Sequence, residues 1–237
     1  MSIQDRKQRE REQRNTLILD HADELLKEHG YLGLNLDQLA DRIEYAKATI
    51  YNHFISKEDL MVAVATRHLV ERGNAFSLWE DHEGRSREKM CVIGVADKVM
   101  SIRYPHAYSL GQLVATDSIW QKASPENQQA YQEAGMRCMR CMLDAIRYAE
   151  EQGDLSGTGA TAAHLVTGLV SLSKGAYLMT SGIKVVLCGL DLDPVGLLSD
   201  NFHILMDGAG WHPLSTEFDY KASESRIRER YFSTDLN

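Results

Sequence analysis

Four prolines in 237 residues leave long stretches of chain uninterrupted. An interior proline removes a helix hydrogen bond and clashes with the preceding turn, so this scarcity favours a mostly helical protein. Four cysteines, Cys91, Cys138, Cys141 and Cys188, are too sparse for a disulfide framework. No apolar run approaches the ~18 residues of a spanning helix. The most apolar late stretch, Leu178–Leu190, is broken by Lys184 and two glycines. Residues Met1–Arg14 are charged throughout and lack the apolar centre of a secretory leader. The expectation is a cytoplasmic protein with no membrane partner. Strand-like alternation is also lacking, apart from the short run Val185–Cys188.

Catalytic signatures are equally scarce. The chain has no G-x-x-x-x-G-K-[ST], no H-E-x-x-H and no G-x-S-x-G. Gly157–Ala162 matches G-x-G-x-x-A, but a helical stretch precedes it where a dinucleotide fold needs a strand. Cys138-Met139-Arg140-Cys141 would set two sulfurs on one helix face, which suits a redox pair. No second such pair or nearby histidine pair completes a zinc site. No catalytic residue, metal ligand or cofactor is therefore predicted, and the chain does not read as an enzyme. A redox-sensing regulator using Cys138 and Cys141, and a helical adaptor that binds only protein, stand as alternatives.

What is present is charge in an uneven distribution. The net charge is −8. Residues 1–57 carry nine Lys/Arg against ten Asp/Glu, and residues 58–220 carry 13 against 21. The acidity sits in the body, and the N-terminal part is near neutral. Nucleic-acid binding is not excluded, because affinity depends on the few cations aimed at phosphates.

The N-terminal part shows helical periodicity. Ile18, Ala22, Leu25 and Leu26 form one apolar stripe of a helix over about 10–29, stopped by Gly30. Asn35 is a good N-cap for a short second helix with Leu36, Leu39, Ala40 and Ile43 as its stripe. A break at Glu44-Tyr45 precedes a third helix, Ala46–His53, with Ile50 and Phe54 inward. Ser56 caps a fourth, with Asp59 in its first turn, reaching to about Phe76. Two short helices around a tight turn form a helix-turn-helix pattern. The second of them is expected in the major groove, led by Lys47, Ala48 and Thr49. Lys47 can donate to guanine or phosphate, and Ala48 and Thr49 suit a thymine methyl. Tyr51, His53 and Lys57 offer donors to backbone phosphates, and the amides near Asn35 and Leu36 offer a phosphate site. The basic arm Arg6, Lys7, Arg9, Arg11 and Arg14 could follow the backbone or enter the minor groove, or be a solvated helix start, since Asp5, Glu10 and Glu12 alternate with the bases.

Gly30-Tyr31, Asn35–Ala40 and Ala46–Leu60 together resemble the tetracycline-repressor (TetR) family signature. Thr49-Ile50-Tyr51-Asn52-His53-Phe54 followed by Ser56-Lys57-Glu58 is the most diagnostic part. The resemblance covers roughly residues 10–65. Two positions depart from it: Glu44 stands where the family usually has Gly in the turn, and Ala46 where it often has Ser. The resemblance implies an all-α protein with a three-helix DNA-binding domain at 1–57, its motif at about 35–54. A connecting helix at 58–78, a ligand-binding and dimerisation domain at 79–214 and a polar tail at 215–237 would follow. The tail is expected to be partly disordered or to pack late on the surface.

In the C-terminal part, helices are predicted over Met90–Arg103, His106–Thr116, Pro125–Gln152, Ala160–Ser181 and from Asp193-Pro194 through Gly208. The helix ending at Ser181 alternates small residues with leucines. Its Leu165, Gly168, Leu169, Leu172 and Ala176, with Leu198, Phe202 and Leu205 of the last helix, are the expected homodimer interface; alternatively both stripes fill the chain's own core. Two-fold symmetry would match a palindromic double-stranded DNA operator. Met100, Tyr104, Tyr108, Leu113, Trp120, Met136, Met139 and Met142 are candidates to line a pocket for a small-molecule effector. The expected function is transcriptional regulation, with repression relieved by that effector.

Overall fold

The computed structural model describes residues 3–155, 161–181 and 193–233. Among these the chain is helical, with one isolated bridge between Leu155 and Trp211 in place of any strand. The helices are α1 (Ile3–Gly33), α2 (Leu36–Arg42), α3 (Lys47–Tyr51), α4 (Lys57–Ser77), α5 (Ser86–Arg103) and α6 (Pro105–Val114). They continue as α7 (Asp117–Trp120), α8 (Pro125–Gln152), α9 (Ala162–Ser181), α10 (Leu198–Gly208) and α11 (Tyr220–Phe232). The run Val185–Cys188 and the glycines Gly157 and Gly159 lie outside the described residues. The chain forms two compact units. One comprises Met1–Leu69 with His106–Ala134, and the other Val70–Pro105 with Gly135–Asn237. The first unit thus takes in a middle segment, α6 and α7, as well as the N-terminal helices.

In the first unit the apolar periodicity is realised as core. Ile18, Ala22 and Leu25 of α1, Leu39 of α2, Ile50 of α3 and Leu60 of α4 are all fully buried. Leu110, Val114 and Ile119 join the same cluster from α6 and α7. Asn35 caps α2 by accepting the Asp37 amide at 2.8 Å. The regular part of α1 stops where expected, because Gly30 adopts φ 65°. Its start lies earlier than the expected residue 10: α1 begins at Ile3, so Arg6–Arg14 lie on a solvated helix start. Exposed side-chain pairs one turn apart, Arg6 with Glu10 and Gln8 with Glu12, support those added turns. Asp59 is buried and anchors α4 to the α7–α8 connection. Its Oδ1 accepts from the Ser124 amide (2.9 Å), the Ser124 hydroxyl (2.8 Å) and Asn127 Nδ2 (2.7 Å), and its Oδ2 accepts from the Ile55 amide (3.0 Å).

In the second unit α5 packs along α11, and α9 along α10. The tail is therefore corrected: residues 220–232 form a helix whose Tyr220, Ile227 and Phe232 are buried. The start of α10 is corrected as well. Asp193 takes the Gly196 amide at 2.8 Å into a turn, and the helix begins only at Leu198.

The densest polar contacts of this unit centre on Arg87, which is fully buried. Its Nη1 donates to Asp207 Oδ1 (2.6 Å), the Trp211 carbonyl (2.7 Å) and the Pro213 carbonyl (3.2 Å). Its Nη2 donates to Nδ1 and the carbonyl of His203, each at 3.1 Å. The guanidinium also lies 4.5 Å from the Tyr220 ring centroid. One arginine of α5 thereby ties α10, the loop after it and α11.

Candidate DNA-reading head and effector cavity

The helix-turn-helix consists of α2, the turn Ile43–Ala46 and α3. Glu44 closes the turn at φ 57°. Where the family usually has Gly, a positive φ is therefore occupied by a side chain that disfavours it. The strain of ~1–2 kcal/mol for a non-glycine residue is partly offset, because glycine loses ~0.5–1 kcal/mol more backbone entropy. Glu44→Gly is expected to raise stability by about 0.5–1 kcal/mol, read as a higher urea midpoint; a lower midpoint would count against strain at this turn.

α3 turns Ile50 into the core and leaves Lys47, Ala48, Tyr51 and Asn52 exposed, with Thr49 and His53 half-buried. Asn35 is exposed at the start of α2, and Leu36 is buried, so only its backbone could serve a phosphate. Ala46 provides no side-chain cap to α3. Two features were not legible in the sequence. Lys47 Nζ is 2.6 Å from Asp37 Oδ1, and this pairing raises the lysine's pKa. Lys57 lies 4.8 Å over the Tyr31 ring, and burial lowers its pKa. The His53 imidazole is pushed down by burial and then by the charges of Arg11 and Arg14. It is therefore neutral at pH 7, and those two arginines of α1 stand near the reading helix.

Behind this face, Asp23 of α1 meets His68 of α4 and His106 of α6. Its Oδ1 accepts from the Nε2 atoms of both rings, at 2.8 and 2.9 Å. Burial alone would raise the Asp23 carboxyl. The hydrogen bonds from His106 and His68 more than offset that and hold it well below the usual range.

The second unit contains a cavity of about 50 Å³. Phe76, Met90, Ile93, Met142, Leu169 and Phe202 supply most of its apolar wall. Of the eight expected pocket residues only Met142 lines it. Leu113 and Trp120 pack against the core of the first unit instead, and Met136 and Met139 are 53% and 39% exposed. Met100, Tyr104 and Tyr108 are not part of the lining. The wall also carries charge that the sequence did not reveal. Arg72 pairs with Asp97 at 2.5 Å, Asp97 Oδ2 accepts from Ser173 Oγ at 2.6 Å, and Glu224 of α11 closes another side.

The stripes assigned to a dimer interface are corrected too. Leu165, Leu169, Ala176 and Leu198 are buried within the chain itself. A Cβ on Gly168 would stand 2.7 Å from Leu205 Cδ2, so that glycine serves the close approach of α9 to α10. Phe202 packs against Gly94 of α5, and Leu172 is half-buried. The outward residues of these helices are others: Leu178, Leu197 and Ile204 are 43%, 48% and 68% exposed. Cys138 and Cys141 are buried thiols outside any disulfide, and burial pushes Cys138 up to about 11 and raises Cys141. Thiolates are thus disfavoured where redox sensing would need them.

An exposed short helix, braced through its buried face on α1, α2 and α4, defines a helix-turn-helix protein. The family described as "Bacterial regulatory proteins, tetR family" matches residues 18–64. The HTH-type transcriptional activator FasR of Mycolicibacterium smegmatis is 37% identical over 59 residues, which are 25% of this chain and 27% of FasR. The HTH-type regulator YvkB of Bacillus subtilis is 32% identical over 80 residues, 34% of this chain and 41% of YvkB. The chain therefore matches under half the length of these relatives. Solved structures extend the likeness of fold. A TetR/AcrR-family regulator from Thermobifida fusca superposes with TM-score 0.59 at 23% identity, over 83% of this chain and 98% of that one. FadR from B. subtilis, in complex with stearoyl-CoA, superposes with TM-score 0.63 at 16% identity, over 81% of this chain and 98% of FadR. Residues 18–64 are thus similar to the tetR-family model, and the described helices share the fold of these solved regulators.

Proposed function

We propose that the protein is a homodimeric transcriptional repressor that binds a palindromic operator through α3 and leaves it when a small molecule occupies the cavity among α4, α5, α8, α9, α10 and α11. The observation that carries this reading is the outward set Lys47, Ala48, Tyr51 and Asn52 on a helix whose opposite residue, Ile50, is fully buried. Lys47, Ala48 and Thr49 read bases, and Tyr51, Asn52, His53 and Lys57 position the backbone with the amides at Asn35 and Leu36. The chain works without catalysis and in the cytoplasm, where operators are.

The effector is an amphiphile with a long apolar part. The wall is mostly aliphatic and aromatic, with the Arg72–Asp97 pair and Glu224 as polar contacts. FadR, of like fold, holds stearoyl-CoA. A cavity of about 50 Å³ holds only a few waters, at about 10–15 Å³ each. Such an effector must therefore part the walls. Phe76 and Arg72 of that wall lie on α4, the same helix that carries Asp59 and His68 in the first unit. Displacement of α4 is the route by which occupancy reaches the reading head. The test is a titration of operator binding with long-chain acyl-CoA: the ligand should weaken DNA binding, and DNA should weaken ligand binding by the same factor. A ligand that strengthens DNA binding would make the protein an activator instead.

The dimer uses the outward stripes of α9 and α10. Ile204→Glu places a charge in the most exposed apolar position there and is expected to yield monomers in sedimentation analysis while leaving helicity intact. A dimer of unchanged stability would place the interface elsewhere.

A further inference from the structure

We infer that Asp23, His68 and His106 form a binding site for a divalent first-row transition metal within the DNA-reading unit. The three side chains come from α1, α4 and α6. Their candidate ligand atoms lie within 4.8 Å of one another, and Asp23 Oδ1 is 2.8 and 2.9 Å from the two Nε2 atoms. Ligands ~2.0–2.1 Å from a tetrahedral ion stand about 3.3 Å apart, so the two oxygen–nitrogen distances need widen by only a few tenths of an ångström to match. Two imidazoles and one carboxylate are the donor set that zinc and its neighbours favour, with a further position open to water. His68 is buried, and Asp23 and His106 are half-buried, so the site is sheltered yet reachable.

Charge is compatible with this reading. Arg67 reaches Asp23 Oδ2 at 3.3 Å but also pairs with Asp20. Two carboxylates against one guanidinium leave the neighbourhood net negative when both rings are neutral. In the apo cluster each Nε2–H donates to the carboxylate. For a metal to bind there, each neutral ring shifts its proton from Nε2 to Nδ1, which frees the Nε2 lone pair, and a ring that is protonated releases one proton.

A second cluster, Cys91, His203 and Glu224 in the other unit, is comparably tight but chemically unsuited. Arg87 donates to His203 Nδ1, so the ring proton sits on Nε2 and points at Glu224. Burial raises the Cys91 thiol well above its usual value, which keeps its proton in place. The rings of His68 and His106 face each other edge to face at 5.4 Å with both Nε2 atoms converging on one oxygen.

Occupancy would clamp α1, the helix that carries Arg11 and Arg14, to α4 and α6. The test is calorimetric titration of the chelator-treated full chain with Zn2+ alone, and electronic absorption of the Co2+ form. One ion per chain is expected, with a four- or five-coordinate Co2+ spectrum. Asp23→Asn and His106→Gln should each weaken Zn2+ binding by more than the roughly 10–100-fold seen when only a supporting partner is lost. The surface variant His29→Gln should leave it unchanged. Absence of stoichiometric binding by the unsubstituted protein would overturn the inference. So would affinity retained in both folded variants.

Discussion

Arg87→Ala destabilises the C-terminal unit by about 3–5 kcal/mol, a large share of the ~5–15 kcal/mol that holds a typical domain together. The loss comes from what remains behind. Without the guanidinium, the Trp211 and His203 carbonyls lose a buried donor, and Asp207 loses its cation. Arg87→Lys should rescue little, because a single ammonium cannot span the fork that reaches α10, the following loop and the ring of Tyr220 at once. The same contacts set an acid limit. Burial alone would raise the Asp207 carboxyl, but Ser215, through its hydroxyl and amide, and Arg87 lower it overall. Its contribution is therefore present above the unfolded value of about 3.9 and is lost as pH falls through the lower folded value. Arg87→Ala should flatten this acid limb of a stability–pH curve. A denaturation midpoint close to that of the unsubstituted protein would show that the buried arginine is not the unit's anchor.

The double substitution Lys47→Ala and Tyr51→Ala is expected to lower operator affinity roughly 100-fold at fixed salt, with the fold unchanged, because neither side chain contributes to the core. Asp37→Asn should act in the opposite direction. It frees Lys47 from its partner and removes an acid from the surface proposed to face phosphates. Fluorescence anisotropy over a salt series separates the contributions: a lost phosphate contact lowers the salt slope by about one, and a lost base contact leaves it unchanged. If the double variant binds as tightly as the unsubstituted chain, α3 is not the reading helix.

The apolar stripe Ile18, Ala22, Leu25, Leu26 was legible because an exposed helix buries one face, and that face repeats at 3.6 residues. The same rule located α8, whose Ser124-Pro125 start and Gly153 stop are local signals. It could not find α11. Lys221–Arg230 is polar at most positions, and the buried Tyr220, Ile227 and Phe232 are too widely spaced to form a pattern. Buried Arg87 and Lys89 were invisible for a related reason: a charged residue reads as outward unless its partners are known, and here they lie up to 126 residues away. On α9 and α10 the small and leucine positions were real stripes. Periodicity marks a buried face without saying whether the chain itself or a second copy covers it; Leu165, Leu169 and Leu198 are buried within the chain itself. The reading head was legible through the Thr49–Phe54 motif, but its Lys47–Asp37 pair was not, since it joins two helices across the turn. The cavity drew on α4, α5, α8, α9, α10 and α11, and no single segment could show it.

The most direct measurement of the central claim is selection from a random double-stranded DNA pool by the purified full chain at a stated salt concentration. Enrichment of a palindrome, with half-sites spaced for two reading helices about 34–36 Å apart and lost on Lys47→Ala/Tyr51→Ala substitution, is the expected result. A folded dimer that enriches no sequence, with or without long-chain acyl-CoA, would contradict it.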